Sequence, residues 1–510
     1  MLAKIKSFGL TGIDGYLVDV ELDLNNGLPS YETVGLPDTA VKEGKERVRS
    51  AIKNSGFKFP AVKIIVNLAP ANTKKEGSIY DLAISTAILC ASGQLEQKNC
   101  NDYIILGELG LNGDVRKVNG VLPILISAKQ KGYTNFIIPS KNAKEASFIS
   151  GVNIYAVDSL TELYTMLSEL NLNNLVKVSS YTQLKEQSKH LSDFKNVKGQ
   201  ESAKRALEIA AAGGHNVLMI GPPGSGKTML AKSFPSVLPD MTFNEALEVT
   251  KIHSVAGVLD TKTGILTKRP FRAPHHTASL VALTGGGKNS KPGEISLAHN
   301  GVLFLDEMPE YPRNVVEVLR QPLEDASIVV SRAAQTVEYP ANLTLIASMN
   351  PCPCGYFGSE KQECRCTPSQ IHKYLNKLSG PLMDRIDLHI EVDSVDYEDL
   401  KTKKEQESSV TIKQRVDFAR SVQNERFDKT NIHNNASMNY EQFKNYCKLD
   451  GEGEKLLKQA FESLNLSARA HDRILKVART IADLDGSEQI LVEHVAEAIQ
   501  YRSLDRKYFI

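Results

Sequence analysis

The chain has 510 residues, 41% of them hydrophobic, with a formal net charge of only +1 and no tryptophan. That length predicts about three domains with real cores, and the near-neutral balance excludes a globally basic coat, so any nucleic-acid surface has to be local. No window approaches the roughly 18 apolar residues of a membrane helix, and the apolar part of the opening MLAKIKSFGL is too short for a secretory signal; the expectation is a cytoplasmic protein with no membrane partner.

Residues 1 to about 170 alternate short apolar runs with helical patterns and read as a compact α+β domain. VKIIVNLAP (62–70), YIILGELGL (103–111) and NFIIPS (135–140) have the composition of strands. Residues 38–54 and 81–92 read as helices with acidic residues near their starts. Residues 171–192 are polar, lack sustained periodicity and read as a linker. A mixed α/β segment follows over 193–395. From 396 to 510 the pattern is helical, most clearly at 410–427 and 467–484.

The first chemistry-bearing motif opens the α/β segment. The apolar strand NVLMI (216–220) runs straight into Gly221, Pro222, Pro223, Gly224, Ser225, Gly226, Lys227 and Thr228. This is G-x-x-x-x-G-K-[ST] in its strand–loop–helix setting. Glycines let backbone N–H groups approach phosphate, and the following helix offers its positive end to the anion. Lys227 is expected to reach the β- and γ-phosphates of ATP, and Thr228 to ligate Mg²⁺.

Next comes a long insert, 254–300, with Lys262, Lys268, Arg269, Arg272, Lys288 and Lys291 against only Asp260 and Glu294. Its adjacent His275 and His276 would project differently on a strand, which argues against a shared metal; His276 reads as a phosphate contact. GVLFLDE (301–307) is a buried strand tipped by two acids. Asp306 is expected to hold Mg²⁺ and Glu307 to act as general base toward the attacking water. Residues 326–341 read as a hairpin with Arg332 at its tip, anchored by Ile328, Val330 and Val337. A third apolar strand, 343–348, leads to Asn350, whose amide is suited to orienting the attacking water.

Seven cysteines are present, and Cys352, Cys354, Cys364 and Cys366 fall within fifteen residues as two C-x-C pairs. In a cytosolic chain such clustering points to metal before disulfide. Four thiolates close a tetrahedral structural Zn²⁺ site and leave no open position for catalysis; the other reading is four reduced thiols in a loop.

The P-loop, Asp306-Glu307, Asn350 and GPLMDRID (380–387) together resemble the magnesium-chelatase-like AAA+ group, and within it the ComM/YifB family. YETVGLPDTAVKEGKERVRSAI (31–52), VNLAPANTKKEG (66–77), RPFRAPHHTAS (269–279), PGEISLAHNGVLFLDE (292–307) and ARTIADLDG (478–486) extend the likeness over nearly the whole chain. The resemblance implies an α/β fold class. Its parts would be a Lon-protease-like α+β domain (1–170), a linker (171–192), a P-loop AAA+ core (193–395) and a C-terminal helical lid (396–510). It puts Arg385 at the arginine-finger position, acting on a neighbouring subunit's ATP, and Arg469 at the sensor-2 position of the lid, with Arg473 one turn on. An arginine supplied in trans requires head-to-tail subunits, and the resemblance implies a homo-hexamer. In the first domain it puts Ile79 where a protease nucleophile would stand and Leu122 where its lysine would, so neither can activate a nucleophile.

Three functions compete on this reading. One is a DNA motor, a helicase or branch-migration factor in recombination and competence, with Arg332, Lys268, Arg269 and Arg272 lining a pore for single-stranded or branched DNA. The second is the ATPase subunit of a magnesium-chelatase-type partner-remodelling complex. The third, a Lon-like protease, is opposed by the missing dyad.

Overall fold

The computed structural model describes residues 1–186, 192–260, 262–287, 290–332, 335–359, 362–394, 406–430, 432–464 and 466–508. The end of the expected linker, Lys288 and the first residues of the expected lid lie outside them, as does the side chain of Arg332.

The first unit is built on a seven-stranded sheet. Strands Leu2–Thr11 and Asp14–Asn25 pair antiparallel in continuous register, from Leu2↔Asp23 to Thr11↔Asp14, around the two-residue turn Gly12-Ile13. Their alternating buried residues, among them Ala3, Ile5, Val18, Val20 and Leu22, give the sheet its inner face. Lys63–Ala69 and Ser30–Val34 extend one side of this pair. Tyr103–Ile105, Asn135–Pro139 and Asn153–Val157 extend the other side, each added in parallel. The predicted helices appear as Thr39–Asn54, which Asp38 caps by accepting from the Val41 N–H, and Asp81–Ala91, which is buried along its whole length. The opening hairpin, the strand Asn153–Val157 and the helices Val121–Gln130 and Leu160–Glu169 add to the predicted elements.

The second unit carries five parallel strands in the order Phe271–Arg272, Val302–Leu305, Thr344–Met349, Val217–Ile220, Leu388–Glu391. The central three are buried nearly throughout, as a parallel sheet covered on both faces requires. The expected hairpin is present as Ser327–Arg332 paired with Gln335–Pro340. The hairpin is not free-standing along its length. Ile13 packs with the apolar cluster that includes Ile328, Val330, Val337 and Tyr339, and a Cβ on Gly12 would fall 2.3 Å from Val337 Cγ1.

The carboxy-terminal region is helical, with Ser409–Arg426, Gly451–Ser463, Ala468–Leu484 and Val492–Gln500 as its main elements. Ile474, Val477 and Ile481 share one apolar cluster with Val217, Met219 and Leu230, so these helices are continuous with the core beneath the P-loop. The described part of the expected linker is also docked: Tyr181 donates to the Met241 carbonyl at 3.1 Å and meets Phe243 at a tilt, ring centroids 5.6 Å apart. Contacts between the units include Ser254 Oγ donating to the buried Glu145 carboxylate at 2.7 Å and the Gly120 N–H donating to the Ser254 carbonyl at 3.2 Å. Among the described residues no helix is long and apolar enough to cross a membrane.

Candidate functional site

Three adjacent parallel strands end side by side, and their carboxyl ends carry the expected polar residues, where open α/β sheets bind ligands. After Val217–Ile220 the loop turns through Gly224 and Gly226, both at positive φ (77° and 92°) with open space where a Cβ would sit, a cradle lined by backbone alone. Lys227 opens the next helix and is buried. Its ammonium donates to the carbonyls of Gly221 (2.7 Å) and Pro222 (2.8 Å) and to Asn350 Oδ1 (3.3 Å). Burial pulls the Lys227 pKa down to about 8, against the opposing pull of Asp306 and Glu307.

Thr228 Oγ1 donates to Asp306 Oδ2 at 2.9 Å. The other Asp306 oxygen accepts from Ser348 Oγ, which in turn accepts from the Glu307 N–H at 3.2 Å. A hydroxyl and a carboxylate this close form an oxygen donor set suited to a hard cation such as Mg²⁺. Ser348, which the sequence reading did not single out, ties the second strand end to the third; the register Leu305↔Ala347 is what brings it there. Glu307 sits at φ +52°, unusual for a side-chain-bearing residue, and its carboxylate is 53% exposed. His276, expected at a phosphate, instead faces Glu307, Nδ1 to Oε2 3.8 Å.

A cavity of about 520 Å³ lies beside this loop, lined by Gly199, Gln200, Ile390, Glu391 and Tyr501 among others. Gln200 Nε2 donates to the Asp393 carbonyl at 2.6 Å and lies 3.5 Å from the Ser225 carbonyl. Sequence reasoning missed this cavity because its walls come from three distant segments.

Arg385 and Arg469 meet elsewhere. Arg385 is buried, donates to the Pro381 carbonyl at 2.6 Å and pairs with the Glu324 carboxylate, holding that carboxyl below its usual range. Arg469 is exposed, 4.0 Å from the other Glu324 oxygen. Arg473 pairs with the buried Asp387. The three arginines and Lys476 line one cavity of about 260 Å³ that includes no residue of 221–228 and neither Asp306 nor Glu307. The intramolecular partner of Arg385 is thus Glu324, not its sequence neighbours Asp384 or Asp387.

The insert's charge is partly spent internally. Arg269 pairs with Glu245 at 3.0 Å and donates to the carbonyls of Pro239 and Asn300; Arg272 makes a bidentate pair with Glu294 at 2.6 and 2.7 Å. Both forks are occupied by groups of the same chain, which corrects their reading as nucleic-acid contacts. In the first unit Ile79 and Leu122 are buried core residues, and Ser78 Oγ donates to Glu108. The four clustered cysteine sulfurs all lie within 4.8 Å of one another.

Residues 193–400 match the family described as magnesium chelatase, subunit ChlI; residues 20–142 match subunit ChlI of Mg-chelatase, and 406–502 its C-terminal region. The chain is 44% identical to "Competence protein ComM" of Haemophilus influenzae over 99% of its own length and 98% of that protein's. It is also 44% identical to the Escherichia coli protein YifB, with the same coverage. The chloroplastic magnesium-chelatase subunit ChlI-2 of Arabidopsis thaliana is 22% identical over 64% of this chain and 78% of that one.

Proposed function

The chain belongs to the ComM/YifB family of magnesium-chelatase-like AAA+ proteins, and on that footing we propose that it is a ring-forming motor that hydrolyses MgATP to move on DNA during recombination. The ATPase half of this reading is carried by one observation: two hydrogen-bonded groups, Lys227 with Asn350 and Thr228 with Asp306, Ser348 and Glu307, sit side by side at three neighbouring strand ends. Lys227 gives its charge to the phosphates in exchange for the Gly221 and Pro222 carbonyls. Glu307 accepts the proton of the attacking water, which Asn350 orients. Thr228 and Asp306 hold Mg²⁺, which when bound neutralises phosphate charge. The cavity at Gln200 and Tyr501 takes the nucleoside. Arg385 and Arg469, sharing Glu324 away from this loop, serve the nucleotide of the next subunit in a hexamer. The four cysteines hold a structural Zn²⁺.

The Lys227 pKa has a consequence for nucleotide affinity. The ammonium form binds phosphate, and the group loses its proton near pH 8 in the free protein. Bound phosphate raises that pKa, so affinity is fully present below it and falls as pH rises through it. Titration of a fluorescent ATP analogue should show about tenfold weaker binding at pH 9 than at pH 7. A flat profile over that range would contradict Lys227 as the phosphate-binding cation.

The DNA half is supported by the full-length likeness to a protein named for competence and by the hairpin, whose tip carries Arg332. Ile328, Val330 and Val337 are buried along its length, and on this reading six copies of Arg332 in a ring would serve one axis. Arg332→Ala should weaken DNA binding by about tenfold and flatten the slope of log affinity against log salt by about one or more. Basal ATPase should survive, because the residues at the strand ends are untouched. A folded Arg332→Ala protein with unchanged DNA affinity and salt slope would sink the assignment. Wild-type ATPase that responds to a partner protein but not to single-stranded, duplex or three-strand DNA would favour the partner-remodelling reading.

A further inference from the structure

The described residues of 351–367 contain no helix or strand, and Gly355 among them lies against the nucleotide-binding loop. The Sγ of Cys352 lies 3.3 Å from that of Cys354 and 3.7 Å from that of Cys364, and Cys354 to Cys364 is 3.6 Å. Four thiolates about 2.3 Å from a central Zn²⁺ stand about 3.8 Å from one another, so these separations are close to those of an assembled tetrahedron. Two disulfides would instead draw sulfurs together in pairs to about 2.05 Å. Backbone groups already favour thiolates: the Phe357 N–H donates to Cys352 Sγ at 3.3 Å, and the Cys366 N–H to Cys364 Sγ at 3.5 Å.

The loop then reaches the nucleotide site by three routes. Cys352 follows Asn350 by two residues, and Asn350 Oδ1 accepts from Lys227. Gly355, at φ +87°, lies so close to the P-loop that a Cβ there would fall 2.5 Å from Pro223 Cδ. The Phe357 ring meets the edge of Tyr508, whose hydroxyl donates to Glu391 at 3.1 Å, and Glu391 lines the cavity assigned to the nucleoside. Two short backbone turns, from the Gly355 N–H to the Cys352 carbonyl and from the Ser359 N–H to the Tyr356 carbonyl, fold the described part of the loop, and a metal on the four thiolates would tie its two ends together.

We propose that Cys352, Cys354, Cys364 and Cys366 bind Zn²⁺ as a clamp on the nucleotide site, making ATP binding and turnover dependent on the metal. This rests on the nucleotide-site reading above and goes beyond a stabilising role. Removing zinc frees Pro223 and Asn350 together, so the loss falls on nucleotide affinity and on kcat, and not only on thermal stability.

The test uses the full chain, with zinc measured by elemental analysis and nucleotide affinity by a fluorescent ATP analogue. Wild type should carry about one zinc per chain. Cys364→Ser with Cys366→Ser, the pair remote from Pro223, should lose zinc and weaken nucleotide binding about tenfold or more. Hydrogen exchange in the N-terminal sheet should stay at wild-type levels, which separates this loss from unfolding. Gly355→Ala keeps all four ligands and should retain zinc while losing affinity, because the contact with Pro223 is broken. Wild-type protein without zinc, or zinc-free protein with normal affinity and kcat, would overturn the clamp. Zinc-loaded wild type that binds no nucleotide would overturn the reading on which the clamp rests, and the clamp with it.

Discussion

Glu307→Gln should bind ATP as tightly as wild type and hydrolyse it roughly two to four orders of magnitude more slowly. The substitution keeps shape and polarity. It leaves the main-chain N–H of residue 307 on Ser348, and so leaves Asp306 held by Thr228 and Ser348. What disappears is the acceptor for the water's proton. Lys227→Ala fails earlier. It removes the ammonium shared between the Gly221 and Pro222 carbonyls and Asn350, so nucleotide binding itself should be lost. Equilibrium binding beside single-turnover phosphate release separates the two. Equal loss of affinity in both variants would contradict the division of labour between them.

Arg385→Ala should lower turnover about a thousandfold or more in a homogeneous ring, the scale of an arginine finger. The variant should fold, because Glu324 is half exposed and keeps Arg469 at 4.0 Å. Mixed one to one with Lys227→Ala subunits, activity should return. About a quarter of interfaces then join an intact P-loop to an intact Arg385 on its neighbour. For this to work Arg385 has to exchange Glu324 for the neighbour's phosphate, and the shared carboxylate is a resting place for both arginines before the subunits close. Demonstrated subunit exchange with no recovery would make Arg385 a residue of its own subunit's site.

The strand-end residues were legible because the motifs that place them are local: a glycine loop, an acid-tipped apolar strand and an amide after a third strand each fit within a few residues. Partnerships set by register or by distant elements were not. Ser348 looks like any strand serine until Leu305↔Ala347 fixes it beside Asp306. Arg385 has two acids within two positions, yet its partner comes from the short helix Pro322–Asp325. Arg269 and Arg272 counted as free charge in the sequence, and tertiary contacts with Glu245 and Glu294 consume them. The hairpin Leu2–Thr11 and Asp14–Asn25 is hard to see in the sequence because Lys4, Lys6 and Ser7 break the apolar run of its first strand. The helical C-terminal region was visible by its period, but the period does not say that Ile474, Val477 and Ile481 close the same core as Val217.

The contact of Gly12 and Ile13 with the hairpin bears on stiffness. A two-stranded ribbon alone is a compliant object, marginally stable in water. Here its middle, at Val337, leans on the turn of a long hairpin, ten residues in one strand and twelve in the other, that runs through the middle of a seven-stranded sheet. Force applied at the ribbon's tip is therefore passed to a broad, tightly packed body behind it instead of bending the ribbon. In the proposed motor the N-terminal unit would then serve as a backstop, through one glycine that leaves Val337 no gap to yield into.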